Sequence, residues 1–84
     1  MSTTTTADIE TRVTAIFEQI TGIPQAEIQR DKHLSSDLQI DSLTLIEVAV
    51  SIQDELAIEV PDENLKGLST VGDVIDLVVS AQAG

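Results

Sequence analysis

Apolar residues recur along this chain at intervals of three and four, with no sustained alternation of the kind a strand needs. Ile9, Val13, Ile16, Phe17 and Ile20 make one stripe at helical spacing. That stripe predicts a first helix, capped by Thr6 and closed by Gly22, with Pro24 keeping it closed. Asp8 and Glu10 suit its first turn, where the helix dipole favours negative charge. A second periodic stretch opens at Asp41-Ser42 and runs to about Leu56. It carries two stripes: Leu45, Val48, Ala49, Ile52 and Leu56 on one side, Leu43, Ile46 and Val50 on another, with Glu47 and Asp54 between. Pro61 to Leu65 has the look of a short helix that stops at Gly67. Thr70-Val71-Gly72-Asp73 has capping-box spacing, with Asp in the place of the usual Glu. Val71, Val74, Ile75 and Val78 then give a last helix its inward stripe, with Asp73 and Asp76 toward water.

The stretch from Ile23 to Ile40 shows no period. Ile23, Ile28, Leu34 and Leu38 are spaced along it like pins that hold a long connection to a core. The predicted architecture is all-α: a small four-helix bundle of three main helices and one short one. A flexible leader over residues 1–6 precedes a single domain over 7–84.

A domain of 84 residues cannot bury both stripes of the second helix. One apolar face edged with carboxylates is then left for a partner. The other outcome is that this stripe packs beneath the long connection. Charge sharpens the first reading. Fifteen acidic residues stand against four Lys and Arg, a net charge of −11. Such a body repels nucleic-acid backbones and anionic membranes and is attracted to basic patches on other proteins. Solubility alone is the plainer reason for the same acidity. Repulsion between copies makes a monomer the expectation. No run of residues approaches the roughly 18 apolar positions of a membrane span, and the threonine-rich start lacks the features of a signal peptide, so a cytoplasmic protein is expected.

The residues for catalysis are missing. The single histidine, His33, lies in the long connection. Ser42 has Asp41 beside it, but no base within a G-x-S-x-G turn. Asp62-Glu63-Asn64 lacks the alternation and glycine of a calcium loop, and the absence of cysteine removes thiolate metal sites and disulfides. A protein that is not itself an enzyme is the expectation.

Asp37-Leu38-Gln39-Ile40-Asp41-Ser42-Leu43 resembles the phosphopantetheine attachment site of acyl carrier proteins, in the form found in actinobacterial fatty acid synthesis. Ile58 to Glu63 and Ser69 to Asp73 resemble that family's approaches to its third and fourth helices, so the likeness covers roughly residues 8 to 80. Many members carry a glycine where this chain has Gln39. The resemblance implies a 4'-phosphopantetheine arm, donated by coenzyme A, esterified to Ser42, with Asp41 beside it. The arm's thiol then supplies what the chain lacks. It also implies a docking face of Leu43, Ile46, Glu47, Val50 and Asp54. The partners implied are holo-acyl-carrier-protein synthase or another phosphopantetheinyl transferase, with acyl transferases, ketosynthases, reductases and dehydratases that present basic patches. Val48, Ala49, Ile52, Leu68, Val71 and Ile75 are small branched or short side chains that are able to part and sheathe an acyl chain; they serve equally as an ordinary core.

Physical chemistry agrees with the serine: at a helix N-terminus its hydroxyl projects outward, and a phosphodiester there meets free N–H groups. Read alone, Asp41 or Ser42 is equally a helix cap. Two rivals stand beside a carrier of fatty acid synthesis. One is a free-standing carrier of polyketide synthesis; the other is an acidic helical adaptor with no covalent cofactor.

Overall fold

The computed structural model describes residues 5–83, so most of the leader expected over 1–6 lies outside the described residues. Helix α1 spans Thr6–Thr21, α2 Ser42–Leu56, α3 Asp62–Leu65 and α4 Val71–Ala83, with one 3-10 turn at Gln25–Glu27. The described residues contain no strand. The expected all-α architecture of three main helices and a short one is what the chain adopts.

The cap of α1 is Thr5, one residue before the Thr6 expected. The shift follows from Asp8, which stands at the third helical position only if Thr5 is the cap. Thr5 Oγ1 then accepts the Asp8 N–H at 3.1 Å, and Asp8 Oδ2 accepts the Thr5 N–H at 3.3 Å. This reciprocal box satisfies two otherwise orphaned donors. At the other end Gly22 takes the left-handed conformation (φ 80°) and donates to the Glu18 carbonyl. Helix α4 opens with a second box. Asp73 N–H donates to Thr70 Oγ1 at 3.2 Å, while Asp73 Oδ2 accepts from Thr70 and Ser69. These hydrogen bonds hold the Asp73 carboxyl below its ordinary pKa, those from the Ser69 and Thr70 backbone most of all.

Helix α1 is the element against which both α2 and α4 pack; α3 packs against α2 alone among the helices. The main core gathers Val13, Phe17, Val48, Ile52, Val71 and Ile75, each at most 1% exposed. Burying each such side chain contributes about 1.5–3 kcal/mol. A smaller second cluster, Ala49 with Val60 and Leu65, lies between α2 and α3.

The long connection is pinned as its apolar residues suggested: Ile28 and Leu34 are buried, Ile23 and Leu38 half-buried. A further pin, Ile40, is buried as well. Its backbone adds what the pattern did not foretell. The Lys32 and Arg30 carbonyls accept from Val71 and Gly72, the first N–H groups of α4, at 3.0 and 2.9 Å, and Leu34 N–H donates to the Ser69 carbonyl at 2.9 Å. A side chain at position 72 would set its Cβ 3.1 Å from the Arg30 carbonyl oxygen, so the close approach needs glycine. The Arg30 guanidinium reaches Asp76 on α4 at 2.7 Å and Glu10 on α1 at 3.5 Å.

Candidate functional site

The last turns of the connection aim α2. Ile40 N–H donates to the Leu34 carbonyl at 2.7 Å, and Gln39 before it is left-handed (φ 56°). This is the position where many resembling sequences carry glycine, and the dihedral is the reason: a Cβ there is costly and its absence is free. Ile40 and Leu45 sit immediately before the cap and at the fourth helical position, the spacing of a hydrophobic staple that fixes the entry angle of a helix. Leu45 packs against the cluster that contains Ile40.

Asp41 is the cap. Its Oδ1 accepts the Thr44 N–H at 2.9 Å. That bond, with a further one to Thr44, holds the Asp41 carboxyl below its ordinary pKa and keeps it ionised at neutral pH. Ser42 is the first residue of α2 and is exposed.

Two surfaces meet at Ser42. On the outer side of α2, Leu43, Ile46 and Val50 are 73, 39 and 48% exposed, the exposed large hydrophobic side chains among the described residues. Glu47 and Asp54 are exposed among them. The five residues expected to form a docking face therefore share one open surface, and the second stripe does not pack beneath the connection. On the inner side an open cleft of about 920 Å³ runs between the connection, α2 and α3. Leu34, Ile40, Leu45, Leu65 and Leu68 form its apolar wall with Ile46, which belongs to both surfaces; His33, Ser35, Lys66 and Ser69 stand among them with Asp41 and Ser42.

Five of the six residues expected to sheathe an acyl chain meet at the main core, against which Leu68 packs, and Leu68 also packs against the second cluster that holds Ala49. Val48, Ile52, Val71 and Ile75 belong to the main core, Ala49 to the second cluster, and Leu68 alone lines the cleft. Leu34, Ile40, Leu45, Leu65 and Lys66 line it and had no place in the sequence-based set. Their signal in the sequence is slight, because the residues lie on three separate segments.

This arrangement is that of a carrier domain: an exposed serine at a helix start beside an apolar face edged by carboxylates. Comparison with known proteins agrees. A family model described as the phosphopantetheine attachment site matches residues 11–78. The acyl carrier protein of Rhodococcus erythropolis is 44% identical over 68 residues, covering 81% of this chain and 75% of that protein. The meromycolate extension acyl carrier protein of Mycobacterium tuberculosis is 44% identical over 71 residues, covering 84% of this chain and 62% of that one. A solved chain from M. tuberculosis assigned to the acyl carrier proteins superposes with a TM-score of 0.79 at 28% identity, covering 86% of this chain and 96% of that chain. The chain belongs to the acyl carrier proteins, the family built around a phosphopantetheine attachment site. Its members carry acyl groups and do not themselves catalyse the chemistry.

The residues present fit the family's cofactor. A serine hydroxyl is exposed at the start of a 15-residue helix, whose first N–H groups and positive dipole end suit a phosphodiester. The chain has no cysteine, so a thioester needs a thiol brought by such an arm.

Proposed function

We propose that Ser42 is the residue that carries 4'-phosphopantetheine, and that the loaded domain shuttles fatty acyl intermediates between the enzymes that build them. The observation that supports this most is the position of Ser42: exposed, first in α2, between the apolar face and the cleft. The arm supplies the thiol on which the acyl group is held. Asp41 fixes the first turn so that the Ser42 hydroxyl stays presented to a transferase. Relatives named for meromycolate extension favour fatty acyl cargo over polyketide cargo.

Leu43, Ile46 and Val50 form the contact core of the docking face, and Glu47 and Asp54 steer it to basic patches. Such rim carboxylates act on the association rate and its salt dependence more than on lifetime. Phosphopantetheinyl transferase and the synthase enzymes are the partners this face suits. No helix among the described residues is long and apolar enough to cross a membrane. We place the protein in the cytoplasm, as a monomer held apart from its copies by charge. Cargo lies in the cleft against Leu45, Leu65 and Leu68, and enters the main core at Ile52, Val71 and Ile75 only if these part. Each CH₂ removed from water contributes about 0.8 kcal/mol. Spectra of octanoyl-loaded protein test the two depths: shifts at Leu65 and Leu68 alone mark the cleft, and shifts at Ile52 and Ile75 mark the core.

Intact mass and thiol titration after incubation with coenzyme A, magnesium and a broad-range transferase test the attachment. One new thiol per chain is expected, and none in Ser42→Ala, whose fold stays near normal. No gain on folded, unmodified protein leaves the non-covalent adaptor.

A further inference from the structure

Residues 34–84 contain ten carboxylate side chains and one base, Lys66. That one base, at the end of α3, lines the cleft onto which Ser42 opens. We infer that the Lys66 ammonium is the counter-ion of the phosphodiester on Ser42 and holds the root of the arm across the cleft instead of along the outer face of α2. The inference rests on the proposed attachment to Ser42.

Three observations carry it. Asp41 is ionised and adjacent in sequence to Ser42, with Glu47 further along the same helix, so an anion placed on Ser42 meets repulsion on the α2 side. Helix dipole and backbone N–H groups offset part of that repulsion, and a cation across the cleft adds to them. The other basic residues are paired or do not line the cleft. Arg30 is bound to Glu10 and Asp76, while Arg12 and Lys32 do not line the cleft. His33 lines the cleft too, on the connection and not on α3. Lys66 also has the right form for the task. Its ammonium on a four-carbon stem acts as a movable point charge and follows the phosphate as the arm swings out to a partner enzyme. An exposed pair of this kind is weak, which suits a root that must release.

The loaded protein has a single thiol, that of the arm, so a nitroxide attached there reports the arm's position alone. In loaded wild type, the amides of Ser35, Leu68 and Ser69 are expected to broaden more than those of Val50 and Asp54. Lys66→Gln should weaken the cleft-side broadening by about two- to fivefold, the range for an exposed ion pair, and 1 M salt should do the same to wild type. Lys66→Arg should retain it, and Lys32→Gln should leave it unchanged. The ³¹P resonance of the phosphodiester should move with Lys66→Gln and not with Lys32→Gln. Broadening and ³¹P position identical in wild type and Lys66→Gln overturn the inference while leaving the attachment intact. Failure to acquire any thiol overturns the attachment itself, and with it this role for Lys66.

Discussion

Helices α1 and α4 differ from α2 in how their ends are made. Each of the first two opens with a reciprocal capping box, Thr5 with Asp8 and Thr70 with Asp73, and α1 closes on a glycine at φ 80°. Their inward stripes are almost wholly buried. Helix α2 opens on a one-way cap, Asp41 to Thr44. Left-handed residues that are not glycine bracket it, Gln39 (φ 56°) and Ala57 (φ 55°), and it leaves Leu43, Ile46 and Val50 in water. Part of the molecule is built from choices that local energetics favour, and the helix bearing Ser42 departs from them at both ends and along one face. Such departures are expected where a surface serves partners, since stability and function ask different things of the same residues.

Breaking the favoured part should cost most. Phe17→Ala removes a side chain with no exposure and should destabilise the domain by about 3–5 kcal/mol, enough to unfold much of it, as chemical denaturation would show. The docking face should behave in the opposite way: Val50→Ser should change stability by no more than about 0.5 kcal/mol yet weaken capture by a basic partner enzyme. A large loss of stability there would mean that the outer stripe is structural.

Sharpening the contrast requires repairing α2. Ala57→Gly and Gln39→Gly should each raise stability by about 0.5–1 kcal/mol, the left-handed cost less the extra freedom of the unfolded glycine chain. A destabilised Gln39→Gly would show that the glutamine side chain, and not its backbone, earns its place. That position also shows what was readable beforehand. A departure from the family's glycine was visible in the residues, but its meaning needed the dihedral.

The smallest effect concerns pH. The Asp73 carboxylate has its pKa depressed in the folded state, so the folded protein binds that proton less readily than the unfolded chain. Its support is therefore present above the ordinary Asp value of about 4 and is lost as pH falls through and below it. Asp41 follows the same sign. Asp73→Asn, which keeps an acceptor for the Ser69 and Thr70 N–H groups but not the charge, should lower stability slightly at pH 7 and flatten the acid limb of a thermal-denaturation series. Added salt should raise the midpoint of wild type at neutral pH, because a net charge of −11 repels itself.

The residues alone determined the helices, the capping box of α4, the stop at Gly22 and the serine that opens α2. They also determined that α2 has one stripe too many for so small a body. Each of these rests on interactions within about four positions of the chain, the reach of helical periodicity and capping. Tertiary structure alone decided that a cleft joins Leu34, Ile40, Leu45, Ile46, Leu65 and Leu68 beside Ser42. It also placed Leu68 against both core clusters and on the cleft wall, and set Lys66 beside it there. Periodicity names a face without naming what covers it; that follows from where distant segments meet, and here α3 and the connection cover only one side of α2.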